Sequence, residues 1–255
     1  MIEIENLTVR YASAQETYTA LADVSLTVPS GGTCAVIGPS GCGKSTLLKA
    51  AAGLLSGCSG TVRLNGEPVN PREQTIGFMP QNYGLLPWKN VYDNICLGLK
   101  IKKPAEPVDR NALQEVMRRL GLEGLGNRYP RELSGGQQQR AALARSFILR
   151  PDVLLMDEPF SALDAITREE MQDVFLDLWQ KYAVSTILVT HYVEEALYLG
   201  QRIVILAANP GRVSEIIENP LFGGRDIRQQ PEFFAMGLRL RNLIKKDWDK
   251  SWENA

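Results

Sequence analysis

Apolar residues in this chain fall into short runs that alternate with segments of helical spacing. Runs of β-branched or apolar residues predict strands at residues 2–9, 33–37, 61–64, 153–156, 186–189 and 202–206. Between them, apolar residues recur every three or four positions, as on one face of a helix. The clearest cases are Met171, Val174, Phe175 and Leu178 in residues 167–181, and Leu113, Val116, Met117 and Leu120 in residues 109–121. Strands that alternate with helices predict an α/β fold with a largely parallel sheet.

Two regions depart from this alternation. Strand patterns stop between about residues 85 and 150, where helical patterns dominate and the proline- and charge-rich residues 100–107 are typical of a surface loop. We therefore expect a helical subdomain inserted into the α/β core. The tail, residues 221–255, carries a separate and narrow helical stripe, which favours packing on its own domain over a helix lying on a membrane surface. The members of this stripe are Phe233, Met236, Leu240, Leu243 and Ile244.

The composition of the 255 residues excludes several classes of protein. With 44% hydrophobic and 22% charged residues, the chain is neither low-complexity nor disordered. Its 28 basic and 29 acidic residues give no overall basic character for binding nucleic acid. No apolar run reaches the roughly 18 residues that span a bilayer. The first residues lack a signal-peptide pattern, and the four cysteines show no CxxC spacing. These features predict a soluble, cytosolic protein, and one count stands out: the chain has a single histidine.

A glycine-rich loop between a predicted strand and a predicted helix carries the first chemical signal. This phosphate loop, residues 38–45, has the sequence GPSGCGKS and fits the pattern G-x-x-x-x-G-K-[ST]. Its glycines allow backbone N–H groups to face phosphate oxygens, and the helix N-terminus adds positive potential. Lys44 is expected to reach the β- and γ-phosphates, and Ser45 to ligate Mg²⁺. The alternative, a simple glycine turn, is disfavoured by the flanking strand and helix.

Two acidic residues follow the apolar run at 153–156. A buried strand carries Asp157 to the carboxyl edge of the sheet, where α/β folds bind ligands. There Asp157 can help to hold Mg²⁺ through water. Glu158, one residue further, can orient and polarise a water molecule against the γ-phosphate. A solvated turn is the alternative for such a pair, and the phosphate loop in the same chain favours the catalytic interpretation.

A second anion-binding pattern, Leu-Ser-Gly-Gly-Gln at residues 133–137, opens a helix; we call it the signature segment. Ser134 is a good N-cap, and Gly135 and Gly136 expose backbone N–H groups at the helix N-terminus. A single γ-phosphate has little use for two anion-binding sites from the same chain. We therefore expect a homodimer or pseudo-dimer in which each signature segment faces the nucleotide of the other subunit.

With these motifs in this order, residues 1–220 resemble the ATP-binding subunits of ABC transporters, and residues 221–255 form a C-terminal helical tail. The resemblance implies a P-loop NTPase fold: a RecA-like core with a mostly parallel sheet, an N-terminal antiparallel β part and an inserted α-helical subdomain. It also implies an ATPase with ATP and Mg²⁺ as cofactors. The implied metal ligands are Ser45, Gln81 and Asp157. The implied cofactor contacts are Tyr11, Gly38, Pro39, Ser40, Gly41, Cys42, Gly43, Lys44, Ser45, Thr46, Ser134, Gly135, Gly136, Gln137 and Asp164.

The resemblance also implies individual roles. Tyr11 would stack on adenine, with Tyr18 as the second candidate because the first loop is long. Gln81 would ligate Mg²⁺ and relay the state of the site to the helical subdomain. Asp164, at the end of the sequence Ser-Ala-Leu-Asp, would contact the opposite subunit.

Three residues would carry the catalysis in this resemblance: Glu158, Gln81 and the single histidine, His191. His191 ends a predicted strand and would steady the γ-phosphate and the attacking water. The sequence departs from the family pattern at Tyr192, where aspartate is usual. Because the neighbouring catalytic matches are intact, we expect hydrolysis to be retained.

A finer resemblance involves residues 85–88, Leu-Leu-Pro-Trp, and residues 209–213, which look like the nitrate, sulfonate and taurine importer subfamily. Importers of vitamin precursors share these motifs. The subfamily implies separate membrane permease subunits, whose cytoplasmic coupling helix would enter a groove near residues 85–88. It further implies an extracytoplasmic solute-binding protein, a peripheral location on the cytoplasmic face of the inner membrane, and no nucleic-acid partner.

Four other classes of protein fit these motifs less well. An ABC exporter often fuses its ATPase to membrane helices, and a soluble ABC ATPase usually carries a second cassette or long insertions. An exporter with a separate ATPase chain stays open as an alternative, so the expected direction of transport rests on the resemblance at residues 85–88. A metabolic P-loop kinase would leave the signature segment unexplained. A non-catalytic scaffold would be expected to lose Glu158 or His191, and both are present.

Overall fold

The computed structural model describes residues 1–12, 17–224 and 226–253, with side chains up to residue 246. The chain forms two compact units: a first unit of Met1–Gln74 with Ser185–Ala255, and a second unit of Thr75–Val184. In the part of the chain described, no helix has both the length and the apolar sequence needed to span a bilayer.

The secondary structure alternates between strands and helices along most of the chain. In chain order the strands are β1 (Ile2–Ala12), β2 (Thr17–Val28), β3 (Thr33–Ile37), β4 (Ser59–Leu64), β5 (Glu67–Pro68), β6 (Ile76–Met79), β7 (Val153–Asp157), β8 (Ser185–Thr190), β9 (Arg202–Ala207) and β10 (Arg212–Glu218). The helices are α1 (Lys44–Ala51), α2 (Val91–Ile95), α3 (Leu97–Lys102), α4 (Arg110–Arg119), α5 (Gly135–Ile148), α6 (Ala165–Tyr182), α7 (Val193–Leu199) and α8 (Pro231–Glu253).

The first unit contains an antiparallel sheet and a mostly parallel set of strands. The antiparallel sheet has the order β2-β1-β4-β5, as the resemblance implied for the N-terminal part. In the other set the order is β10-β9-β3-β8, where β3 pairs in parallel with both β8 and β9. All five residues of β3 are buried. A parallel strand that is covered on both faces has a nearly continuous apolar sequence, as β3 does.

The second unit combines two parallel strands with five helices. β6 pairs in parallel with β7, so that Met79 lies opposite Met156 near the carboxyl ends of both strands. α5 forms the centre of the helical packing. Its Phe147 is fully buried, and the centroid of its ring lies 5.9 Å from those of Phe175 and Tyr182. This contact attaches α5, which begins in the signature segment, to α6.

Each of the six predicted strands is present, with ends that shift by up to three residues. Four strands were not predicted: β2, β5, β6 and β10. The helices α2, α3 and α7 were not predicted individually, although α2 and α3 lie in the region expected to be helical. The predicted loop at 100–107 was wrong for its first three residues, which end α3. The helices expected between residues 85 and 150 lie in the second unit, which also contains β6, β7 and α6. The boundaries 85, 150 and 220 stay predictions.

Candidate active site

The phosphate loop joins β3 to α1, and its glycines are required by backbone shape and by close packing. Gly41 and Gly43 have φ angles of +79° and +92°, in the left-handed region that disfavours side chains. A Cβ atom on Gly43 would lie 2.6 Å from the side chain of Leu21. A Cβ atom on Gly38 would lie 2.4 Å from the carbonyl oxygen of Leu206. The loop can therefore approach its neighbours only with glycine at these positions.

Lys44 is held at this loop by the loop's own backbone. Its side chain is buried, and Nζ donates to the carbonyl oxygens of Gly38 at 2.8 Å and Pro39 at 2.9 Å. The Cys42 thiol lies behind it, 3.8 Å from Nζ. Burial raises the pKa of Cys42, and the charge of Lys44 opposes that shift. Ser45 at the start of α1 is exposed. The buried ammonium group of Lys44 and the exposed residue Ser45 are therefore neighbours at the end of the loop.

The two tyrosines considered for adenine stacking lie opposite each other on the antiparallel sheet. Tyr11 on β1 pairs with Tyr18 on β2, and both rings are about half exposed, at 43% and 52%. The hydroxyl of Tyr11 lies 3.5 Å from Oγ1 of Thr46, in the first turn of α1. Tyr11 is therefore attached to the helix that follows the phosphate loop, and Tyr18 is its cross-strand neighbour.

His191 leaves the same edge of the parallel strands as the phosphate loop. β3 and β8 are in register with Ile37 opposite Thr190, so Gly38 and His191 are each the next residue. The exposed His191 ring lies against the Tyr192 ring, with the centroids 4.1 Å apart and the planes tilted by 38°. Tyr192 is the N-cap of α7 but provides no side-chain cap; its N–H donates to Oγ1 of Thr190 at 3.0 Å. An aspartate at this position would cap α7 through its side chain. Tyr192 instead makes a ring contact with His191.

In the second unit, Glu158 and Gln81 come together although 77 residues separate them. Gln81 lies two residues beyond β6 and Glu158 one residue beyond β7, and these parallel strands end at the same edge. Nε2 of Gln81 donates to the Glu158 carboxylate at 3.0 Å. Asp157, the last residue of β7, is buried. The backbone of Glu158 has a φ of +50°, so it turns sharply away from the strand.

The signature segment lies beside the sequence Ser-Ala-Leu-Asp in the same unit. Oγ of Ser134 accepts from the N–H of Gln137, and the side chain of Gln137 accepts from the N–H of Ser134, a reciprocal capping box. A Cβ atom on Gly136 would lie 3.6 Å from Leu163. Asp164 caps α6 by accepting from the N–H of Thr167 at 3.1 Å, and this hydrogen bond lowers the pKa of Asp164.

Comparison with known proteins agrees with this constellation. Residues 21–161, more than half of the chain, match the pattern of the family described as ABC transporter. The chain belongs to the ABC transporter family. The matched residues include the phosphate loop, Gln81, the signature segment and Glu158. The chain is therefore an ATP-binding cassette and an ATPase.

Relatives of this cassette cover most of its length. It is 47% identical over 197 residues to an aliphatic sulfonates import ATP-binding protein of Bacillus licheniformis, covering 77% of this chain and 76% of that protein. It is 39% identical over 245 residues to the taurine import ATP-binding protein of Escherichia coli K12, with coverage of 92% and 94%. A solved cassette, described as dimeric, in a post-hydrolysis state and bound to ADP and Pi, is 31% identical. It superposes on this chain with a TM-score of 0.77, and the superposition covers 86% of this chain and 98% of the solved one.

Three polar residues that support the cassette's site were not singled out for such a role from the sequence. The buried Gln139 of α5 donates its amide to the carbonyl oxygen of Pro159, next to Glu158. Arg145 of α5 donates to the carbonyl oxygens of Tyr83 at 2.5 Å and Gly84 at 2.6 Å, beyond Gln81, and burial lowers its pKa.

The third residue, Asn94, is fully buried and bonds to Leu86, Lys89 and Asn90. The sequence signal for Gln139 and Asn94 is a polar residue at a buried helical position, and for Arg145 a charged residue at a partly buried one. Such a signal becomes informative only once burial is known.

Proposed function

We propose that two copies of this cassette enclose two Mg–ATP between them and thereby drive import of a small solute through separate permease subunits. The observation that carries the proposal is the open N-terminus of α5. Ser134 and Gly135 are exposed, and nothing lies within 4 Å of a Cβ built on Gly135. Backbone N–H groups at such a helix start bind phosphate oxygens.

The signature segment is best used on the nucleotide of a second copy. Each chain already has a phosphate loop that provides N–H groups and Lys44 for its own ATP. In a two-fold dimer, Ser134, Gly135 and Gly136 of each copy would contact the γ-phosphate held by the other. ATP would then bridge the copies, and loss of the γ-phosphate would release them. The dimeric solved cassette supports this arrangement.

Hydrolysis would use residues from both units in separate roles. Glu158 polarises the attacking water, His191 contacts the γ-phosphate, and Gln81 fixes the Glu158 carboxylate through its amide nitrogen. Ser45, Gln81 and Asp157 would offer a cation a hydroxyl, an amide oxygen and a carboxylate. These are hard oxygen ligands of the kind that Mg²⁺ prefers, so the residues fit this ion. The ion would neutralise charge on the β- and γ-phosphates.

The permease would dock at residues 85–88, of which Pro87 and Trp88 are exposed. The ring of Trp88 is 71% exposed, which is unusual for an aromatic residue in a well-packed loop. Asn94 fixes this loop: its Oδ1 accepts from the N–H of Leu86 at 2.7 Å, and its Nδ2 donates to the carbonyl oxygen of Lys89 at 2.8 Å. A rigid loop that displays a large aromatic ring suits a helix from a partner protein.

The solute is proposed to be a small sulfonate such as an alkyl sulfonate or taurine, because the relatives are import proteins for aliphatic sulfonates and taurine. An extracytoplasmic solute-binding protein would deliver it. The cassette would lie peripherally on the cytoplasmic face of the inner membrane, bound to its permease.

Reconstitution tests this proposal. The cassette is co-purified with the permease subunits encoded beside it and placed in liposomes, with ATP on the cassette face and the solute-binding protein on the other. Labelled taurine and alkyl sulfonates should accumulate on the cassette face with ATP, and not with Glu158→Gln. Movement in the opposite direction, or ATP hydrolysis without any permease association, would overturn the import proposal.

A further inference from the structure

The tail of the first unit packs along α7, the helix that follows His191. α8 lies against α7 and β9 and buries Phe233 and Leu240. Gly237 of α8 faces α7: a Cβ atom built on it would make an ordinary van der Waals contact, at 3.7 Å, with the side chain of Leu197. α7 has only seven residues. So short a helix is not stable alone and depends on its neighbours for its position.

The far end of α7 is fixed by two contacts from the same part of the chain. Nδ2 of Asn219 donates to the carbonyl oxygens of Leu197 and Gly200, both at 2.7 Å, and so satisfies the last turn. The Arg228 guanidinium lies 3.5 Å from the centroid of the Tyr198 ring, a cation–π contact. The carboxyl end of α7 is therefore held firmly.

The near end of α7, next to His191, depends on α8. Tyr192 gives its first turn no side-chain cap. Instead, Nη2 of Arg241 on α8 forms an ion pair with Glu194 in that turn. A groove of about 590 Å³ runs between the two helices at this point. It is lined by His191, Tyr192, Val193, Glu194, Arg241, Ile244 and Lys245.

We propose that Arg241 is a positioning residue for ATP hydrolysis. By holding Glu194, it fixes the first turn of α7 and, through Tyr192, the place of the His191 ring. The inference rests on the proposed role of His191. An exposed ion pair is a weak contact, so its loss should slow hydrolysis by about two- to fivefold rather than abolish it.

The test compares steady-state ATP hydrolysis of full-length variants, each checked for an unchanged thermal midpoint. Arg241→Ala should lower kcat about two- to fivefold and leave KM for ATP unchanged, since the phosphate loop is untouched. Arg241→Lys should restore most of the rate. Arg239→Ala is the matched control: Arg239 also lies on α8, but its ion pair, at 3.9 Å, is with Glu215 on β10. This control should match the wild type.

Double variants show whether the effect passes through Glu194 and His191. Glu194→Ala should equal Arg241→Ala, and the combination should lose nothing further. In a His191→Ala background, Arg241→Ala should have no additional effect on kcat. Full activity of His191→Ala would refute the proposed role of His191. A strong loss with His191→Ala, together with wild-type kcat for Arg241→Ala, would refute only the positioning role of Arg241.

Discussion

The amide nitrogen of Gln81 donates to the carboxylate of Glu158 at 3.0 Å, and the two residues follow adjacent parallel strands. Glu158 has a left-handed backbone with φ of +50° that turns it away from the end of β7. A turn of this kind is held by its surroundings. Here Ser161 donates to the carbonyl oxygen of Glu158 at 3.1 Å, and Gln139 holds Pro159. The carboxylate is therefore positioned by its own turn and by neighbours on two other segments.

Glu158→Gln should lose ATP hydrolysis by at least about 100-fold, the usual contribution of a general base, and keep ATP binding. The amide cannot accept a proton from water, yet it preserves the size of the side chain. Phosphate release measures hydrolysis, and light scattering after chromatography with ATP should show a persistent dimer. Glu123→Gln, at an exposed position of the same unit, is the control. Hydrolysis at the wild-type rate by Glu158→Gln would remove Glu158 from the mechanism.

Gly43→Ala should destabilise the fold by about 1–3 kcal/mol and weaken ATP binding. Its φ of +92° disfavours a side chain, and a Cβ atom would lie 2.6 Å from Leu21 and 2.9 Å from the carbonyl oxygen of Ala20. Urea unfolding and nucleotide titration measure the two effects. Gly57→Ala is the matched comparison, because Gly57 has a φ of +77° with nothing within 4 Å. Gly57→Ala should lower the free energy of unfolding but leave ATP binding unchanged. Equal ATP-binding defects in Gly43→Ala and Gly57→Ala would show that the shape of the phosphate loop is not the cause.

The local structure around each motif could be predicted from the sequence because each motif is short and lies within one strand, turn and helix. Gly38, Lys44, Ser134 and Asp157 all lie where their motifs indicate. The Gln81–Glu158 hydrogen bond could not be derived from spacing, since it depends on two strands being adjacent in register. The resemblance gave both residues a role without giving their contact.

For two of the strands that were not predicted, β2 and β10, the reason is physical. β2 is continuous but irregular at Asp23, whose φ is +52°, and the register against β1 shifts between the pairs Leu7–Val24 and Val9–Leu21. This bulge breaks the alternation by which a half-buried strand is recognised. β10 lies at the end of the strand order, next to β9. Most of its side chains are partly or fully exposed, and four of its seven residues are polar. Edge strands of this kind carry little hydrophobic signal.

Glu115→Gln should lower the thermal midpoint near neutral pH and have no effect in strong acid. Hydrogen bonds from Arg119 and Arg118 lower the pKa of Glu115 to about 2 from its ordinary value of 4.5. Because the folded pKa is the lower one, the ionised carboxylate stabilises the fold above about pH 4.5, and this contribution is lost as the pH falls towards 2. The midpoint difference between variant and wild type should therefore shrink across that range. A difference independent of pH would mean that packing, and not charge, is responsible; Glu170→Gln on α6 is the control.

Trp88→Ala should uncouple transport from hydrolysis. The ring is 71% exposed and lies in a loop held by Asn94, so its removal leaves no cavity in the core and should not change stability or basal ATPase activity. If the ring fills a pocket on the permease, its loss should weaken the complex by about 2 kcal/mol or more, as hot-spot aromatic residues do. Co-purification with the permease and solute uptake in liposomes measure the effect. Ile101→Ala is the matched control, because Ile101 is another large apolar residue of the second unit, 69% exposed on α3. Equal uptake by Trp88→Ala and wild type would move the docking surface elsewhere, whereas loss of basal ATPase activity would show that Trp88 supports the site itself.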